Sequence, residues 1–291
     1  MAASDRALPP GIVARPLRAS DLDAALALSR EAGWNQVAAD WRIFLELGGA
    51  IRLMRGDGPP IATAAVLPYA GFAWISMVLV TAAERRQGFA RWLLQRCVED
   101  LLERKLVPML DATPAGRTVY VGLGFQDCWT MERLIARTVR KAAAEPNTMT
   151  VRPLDARDWP QIVADDTAAF GADRSVLLRR LAGRLPEAAL VAERGGRIVG
   201  FLLGRDGRVM SQLGPLVADD DGVARALLTQ AIAKVSAPLV VDVPDHHAAL
   251  RRWLATLGFA VERPYIRMAY GTSATLNDGA RLFAIAGPEL G

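Results

Sequence analysis

The chain repeats itself, and a repeat of domain length leaves few folds open. Arg15-Pro16-Leu17 followed by Asp21-Leu22 recurs as Arg152-Pro153-Leu154 followed by Asp158-Trp159, at an offset of 137 residues. Gly88-Phe89-Ala90-Arg91 with Leu93-Leu94 recurs as Gly222-Val223-Ala224-Arg225 with Leu227-Leu228, and Leu123-Gly124-Phe125 recurs as Leu257-Gly258-Phe259, both at 134. Three matches in one order at a nearly constant offset mean two copies of one unit of ordinary domain size. In 291 residues this predicts two domains, 11–139 and 149–291, joined by the polar, proline-containing segment Arg140 to Thr150.

Each copy reads as mixed α/β. Ile12 to Pro16 is a strand, and Ser20 is placed to cap a helix carrying Leu22, Ala25, Leu26 and Leu28. Residues 51–66 form a hairpin turned at Gly56-Asp57-Gly58-Pro59, and Trp74 to Val80 is rich in strand formers. Apolar positions 89, 90, 93, 94, 97, 98, 101 and 102 follow the 3.6 period of a helix packed on a sheet. Val107 to Leu110 is a buried strand, 115–122 a short helix, and Phe125 opens another strand. The second copy repeats the pattern with a Gly195-Gly196 hairpin, a helix over 223–235 and a strand at Pro238 to Val241.

Composition removes several classes of function. Apolar residues are 52% and charged residues 23%, which is globular usage and far from disorder. The longest apolar stretch, Ala73 to Ala83, is broken by Ser76 and too short to span a bilayer. The N-terminus has no apolar secretory core, so a cytoplasmic protein with no membrane partner is expected. Cys97 and Cys128 form no ligand spacing with His246 and His247, which argues against a disulfide scaffold and a Cys/His metal site. The adjacent histidines fit a loop or a helix start. The 35 basic residues against 31 acidic ones are not gathered into one stretch, so no nucleic-acid partner is expected.

The stretch that carries chemistry is Thr81-Ala82-Ala83-Glu84-Arg85-Arg86-Gln87-Gly88-Phe89-Ala90, between a strand and a helix. Backbone N–H groups at a helix N-terminus, together with the helix dipole, favour an anion. Gly88 lets a ligand approach the backbone, Arg85 and Arg86 add positive charge, and a pyrophosphate suits such a turn. A plain tight turn with solvated arginines has the same spacing.

Arg85-Arg86-Gln87-Gly88-Phe89-Ala90 resembles the Gln/Arg-x-x-Gly-x-Gly/Ala pattern of the GNAT superfamily of N-acetyltransferases. The preceding Val78-Leu79-Val80 and the following Tyr120, five residues before Phe125, are similar to further family elements, so that the resemblance covers about residues 12–137. It implies an α/β fold with a mixed sheet, two tandem GNAT-like acyl-CoA N-acyltransferase domains, and acetyl-CoA as cofactor. Val78, Leu79 and Val80 would meet the pantetheine arm, Arg85, Arg86, Gln87, Gly88, Phe89 and Ala90 the pyrophosphate, and Tyr120 would protonate the leaving thiolate. The acceptor implied is a primary amine, foremost of a small molecule. A non-catalytic acyl-CoA-binding or regulatory protein is the alternative.

The segment Trp74-Ile75-Ser76-Met77 offers no carboxylate as general base. Asp111 either caps the helix that follows it, the commoner use, or orients the amine. Trp34, Asn35, Trp41 and Trp74 are candidates to line an acceptor pocket, since such sites are mostly apolar with a few polar groups. In the second copy Ala218-Asp219-Asp220-Asp221-Gly222 stands where the first has Glu84-Arg85-Arg86-Gln87-Gly88, and Leu254 replaces the tyrosine. Three carboxylates repel a pyrophosphate but support a helix start. The second copy is therefore expected to keep the fold without acetyl transfer, and to buttress the first or complete its substrate pocket.

Overall fold

A computed structural model describes residues 8–140, 149–274 and 279–291. The expected linker Arg140 to Thr150 falls almost wholly outside them. Two compact units are present, the first ending at Leu110 and the second starting at Asp111.

The first unit runs β1 (Ile12–Pro16), α1 (Leu22–Glu31), α2 (Ala38–Leu47), β2 (Gly49–Arg55), β3 (Pro60–Pro68), β4 (Phe72–Val80), α3 (Phe89–Glu103) and β5 (Val107–Ala112), which crosses the division. Its strands pair in the order β1-β2-β3-β4-β5, antiparallel except for the parallel pair β4-β5. The β2-β3 hairpin turns where Gly56 to Pro59 predict it. Strands β3 and β4 are buried almost continuously, as expected when both faces of a sheet are covered by helices. Helix α3 supplies Phe89, Leu93, Leu94, Cys97, Val98 and Leu101 as its buried stripe, each worth roughly 1.5–3 kcal/mol relative to exposure.

Two local readings are corrected. Helix α1 starts one residue after Asp21, at the end of a 3-10 turn over Ala19–Asp21. Ser20 sits inside that turn and is not the cap; the Asp21 carboxylate accepts instead from the Arg18 N–H at 2.7 Å. Helix α2 was not foreseen. Its N-terminus is tied by Asp40, which accepts from the Val37 N–H at 2.8 Å.

The second unit holds α4 (Pro114–Val121), β6 (Phe125–Ala136), β7 (Thr150–Pro153), α5 (Trp159–Phe170), α6 (Ser175–Arg184), β8 (Leu190–Arg194), β9 (Arg197–Arg205), β10 (Ser211–Ala218), α7 (Asp221–Lys234), β11 (Leu239–Pro244), α8 (Ala248–Thr256), β12 (Ala260–Tyr270) and β13 (Leu282–Ala284). The strand order is β12-β6-β11-β10-β9-β8-β7, with β13 beside β10. Its core gathers Leu213, Leu216, Val223, Leu227, Leu228, Leu239, Val241 and Leu254.

The packing division and the repeat boundary differ for a physical reason. Strand β6 belongs by sequence to the first copy, yet it lies between β11 and β12 of the second and pairs antiparallel with both. Two buried ion pairs related by the repeat clamp this exchange. Arg133 on β6 holds Asp242 of β11 at 2.7 and 2.8 Å, and Arg267 on β12 holds Asp111 at 2.9 Å through both oxygens.

Candidate active site

In the first unit β4 meets β5 only at its start, where Phe72, Ala73 and Trp74 face Val107, Pro108 and Met109. Beyond Trp74 the strand is paired with β3 alone among the strands of its unit. Its register with β3 shifts between Ser76 and Leu79, and Met77 takes φ +53°. A bulge with a non-glycine residue at positive φ is costly, and such strain collects at functional positions. The Thr63 hydroxyl holds the bulge by donating to the Met77 carbonyl at 2.9 Å. The Val78-Leu79-Val80 backbone thus follows a re-aimed strand edge that is paired on one side by the strands of its unit.

The turn after β4 is fixed by its neighbours. Arg55 grips Glu84 through two hydrogen bonds of 2.7 and 2.8 Å, which holds the Glu84 carboxyl below its usual range. Gln87 donates to the same carboxylate at 2.7 Å, and Arg85 Nε donates to the Val80 carbonyl at 3.2 Å. The Gln87 side chain is thereby turned back into the loop. Arg86 has φ +64° and Gly88 φ +86°, a left-handed conformation that glycine adopts without steric cost. A Cβ at Gly88 would meet nothing within 4 Å, so the space over it is open.

Among the described residues no carbonyl accepts from the backbone N–H groups of Arg86, Gln87 and Gly88. The first turn of α3, starting at Phe89 and Ala90, contains no acidic side chain to compete for its N–H groups. Arg85, Arg86, Gln87 and Gly88 are exposed. A cradle of unfilled N–H donors beside two guanidinium groups fits a pyrophosphate.

Glu31, the last residue of α1, accepts from the Thr81 hydroxyl at 2.9 Å and the Ala82 N–H at 2.6 Å, which lowers its carboxyl pKa. This bond brings the connection after α1, with Trp34 and Asn35, to the end of β4 where the turn starts. Both residues are half-buried. Trp74 is 1% exposed on β4. Trp41 is fully buried and donates its Nε1–H to the Ser29 hydroxyl at 3.0 Å, so it is a core residue of the α1-α2 pair and not a pocket wall.

Tyr120 and Asp111 lie in the second unit. Tyr120 is half-buried on α4, its ring 6.1 Å from that of Phe125. Burial raises its phenol above the ordinary value, so the group is held protonated at neutral pH. Asp111 does not cap α4: Thr113 does, its hydroxyl accepting from the Gly116 N–H at 3.2 Å. The Asp111 side chain is fully buried with both oxygens taken by Arg267. Burial pushes its carboxyl up, and Arg267 opposes the rise. The repeat contained the signal for this pair, because Arg133 and Arg267 stand at the same offset of 134 as the glycine motifs.

The second copy builds the same bulge and closes it. By register Leu213, Gly214, Pro215 and Leu216 on β10 correspond to Ser76, Met77, Val78 and Leu79 on β4. Pro215 has no N–H to offer where Val78 has one. Strands β10 and β11 pair only at Ser211 and Gln212, and the gap beyond is filled by the chain itself. Strand β13 pairs with β10 at Leu216 and Val217, and the Ile285 N–H donates to the Asp242 carbonyl at 3.1 Å. A Cβ on Gly214 would lie 2.1 Å from the Ile285 carbonyl oxygen, so only glycine admits this approach. His247 Nε2 lies 3.1 Å from the Leu282 carbonyl oxygen, and its ring stacks 3.8 Å from Phe283.

The helix start of this copy is also filled. Asp220 caps α7 by accepting from the Val223 N–H at 2.9 Å and takes Arg194 at 3.1 Å. Asp219 pairs with Arg197 and Arg281 at 3.0 and 2.8 Å, and Asp221 with Arg225 at 2.7 Å. Each acid answers a basic side chain of its own unit.

Two α/β copies that each part a bulged strand from its neighbour below a βα turn define a tandem architecture, and in the second copy β13 enters the parting. Residues 24–125 match the acetyltransferase (GNAT) family, and residues 162–284 match an acetyltransferase (GNAT) domain. The chain belongs to the GNAT acetyltransferases, as a two-domain member. It is 25% identical over 274 residues, 91% of this chain and 94% of the relative, to the uncharacterized N-acetyltransferase YitH of Bacillus subtilis. Its fold matches a putative acetyltransferase from Pyrococcus horikoshii with TM-score 0.81 at 20% identity, covering 100% of this chain and 99% of that one. A tandem GNAT protein from the clavulanic acid biosynthesis pathway, solved without AcCoA, matches with TM-score 0.67 at 13% identity over 91% of this chain and 100% of its own. No helix among the described residues is long and apolar enough to cross a membrane.

Proposed function

We propose that the first copy transfers an acetyl group from acetyl-CoA to a primary amine of a small molecule, and that the second copy binds no acyl-CoA. The observation that carries this reading is the cradle of N–H groups at Arg86 to Gly88 that no carbonyl among the described residues fills, at the end of a strand edge that beyond Trp74 no strand of its unit pairs.

Acetyl-CoA would supply an acyl group already activated as a thioester. Arg85, Arg86, Gly88, Phe89 and Ala90 would hold its pyrophosphate, with Gln87 contributing its backbone, and Val78, Leu79 and Val80 would follow its pantetheine arm. Backbone N–H donors aimed where negative charge develops stabilise the transition state of acyl transfer, a role this reading gives to the N–H of Val78 at the bulge. Tyr120 holds a proton at its phenol oxygen and would give it to the departing sulfur. Among the described residues no group hydrogen-bonds its hydroxyl, which favours a free acid over a structural tyrosine. Trp34, Asn35 and Trp74 are the acceptor-side residues of this reading. The residue boundaries 11–139 and 149–291 describe the two units of descent.

Calorimetric titration with acetyl-CoA tests it. One site per chain is expected, lost in the Arg85→Asp/Gly88→Asp variant. Two sites would refute the closure of the second copy, and none would refute the donor. With a turned-over amine, Tyr120→Phe should lower kcat by about 10²-fold, the usual reach of a single acid, with acetyl-CoA affinity unchanged; equal turnover would remove Tyr120 from the mechanism.

A further inference from the structure

We propose that Ser76 holds the acceptor amine of the first copy, its hydroxyl oxygen accepting a hydrogen bond from one amine N–H. The inference rests on the reading of that copy as an acetyltransferase and assigns a residue to its acceptor side.

Ser76 is 8% exposed, and its Oγ has no hydrogen-bond partner among the described residues. A buried hydroxyl without a partner is destabilising, and native chains keep few of them. The other buried hydroxyl of this strand pair, that of Thr63, is satisfied by the Met77 carbonyl at 2.9 Å. Of the two buried hydroxyls of this strand pair, Ser76 is thus the one left without a partner among the described residues.

Its position gives the exception a use. Ser76 lies past the last residue of β4 paired with β5 and one residue before the bulge at Met77. Alternation along a strand puts Ser76 on the face of Trp74, and its cross-strand neighbour is only Ala65. The second copy supplies a control. There the matching residue is Leu213, 0% exposed, in the copy whose gap is filled by its own β13. The polar side chain is present where no further strand of the unit pairs beside the bulge, and an apolar one where β13 does.

A serine hydroxyl has one donor and two acceptor positions. Accepting from an amine N–H leaves the nitrogen lone pair for the carbonyl carbon, and no proton passes to the serine. The contact positions the nucleophile.

The test is Ser76→Ala, read three ways. Without ligand, the melting temperature should equal or exceed that of the parent, since no protein contact is lost; a fall of more than about 2 °C would show a structural hydroxyl and overturn the proposal. The acetyl-CoA dissociation constant should not change. With the best substrate among spermidine, tyramine, glucosamine and glycinamide, the amine KM should rise about 10-fold while kcat stays within about two-fold. An unchanged KM overturns the proposal. If the parent binds acetyl-CoA but acetylates none of these amines, the assignment of Ser76 to a small-molecule amine is overturned. A parent chain that fails to bind acetyl-CoA instead refutes the acetyltransferase reading, so the two failures are distinct.

Discussion

Replacing Asp111 by alanine removes one half of a buried ion pair, and its cost follows from the geometry. Arg267 Nε and Nη2 each donate to an Asp111 oxygen at 2.9 Å, and the side chains are 2% and 0% exposed. The guanidinium also lies 4.2 Å over the Trp129 ring, so it cannot reach water without unpacking the strands around it. Breaking such a pair by removing one partner costs about 3–5 kcal/mol, whereas replacing both partners by apolar groups is often neutral. In a unit of this size that is a melting-temperature drop of about 6–20 °C. Urea unfolding of Asp111→Ala, Arg267→Met and Asp111→Leu/Arg267→Met closes the cycle. Each single variant should lose about 3–5 kcal/mol, and the double variant much less than the sum. Single losses under about 1 kcal/mol, or losses that simply add, would refute the reasoning. A structural Asp111 also predicts that kcat/KM of the single variants, measured well below their melting temperatures, stays within about three-fold of the parent.

Other outcomes follow from the same coordinates. Asp220→Ala removes the only side-chain cap on α7 seen among the described residues and should cost about 1 kcal/mol, measured by urea unfolding. His247, which burial pushes down to about 4, stays neutral in the folded chain while an unfolded histidine takes a proton near pH 6.5. The unfolded state thus binds more protons between those values, so stability is complete above about pH 6.5 and declines toward pH 4. Discounted for its partial exposure, the decline is on the order of 1–2 kcal/mol; His247→Gln should flatten it, and an identical pH profile would contradict the assignment. Gly214→Val, which places a side chain against the Ile285 carbonyl, should displace β13 and lower the melting temperature, while leaving acetyl-CoA stoichiometry at one per chain because the acidic turn persists.

Much of the architecture was legible in the sequence because local periodicity and turn chemistry act over a few residues. The β2-β3 hairpin, β4, α3, α4 and the second-copy helix α7 stand where Gly, Pro and the apolar spacing put them. Helix α2 escaped because Ala38 to Leu47 is apolar on more than one side and carries no strong cap. Ser20 has a capping side chain at a fitting spacing but lies inside the 3-10 turn over Ala19–Asp21, and spacing alone does not reveal that such a turn precedes α1.

The sequence by itself determined that there are two copies of one unit, that only the first keeps a basic, glycine-containing turn and a tyrosine before Leu-Gly-Phe, and that the whole resembles one family. These are statements about residue types at short spacing, and residue type is what a sequence records. Tertiary structure alone decided that β6 lies between β11 and β12, that Asp111 spends its charge on Arg267, that β13 closes the opening of the second copy, and that Ser76 is buried without a partner. Each of these depends on which distant segments meet, with separations of 156 residues for Asp111 and Arg267, and such meetings are settled by packing across the whole sheet rather than by any local pattern.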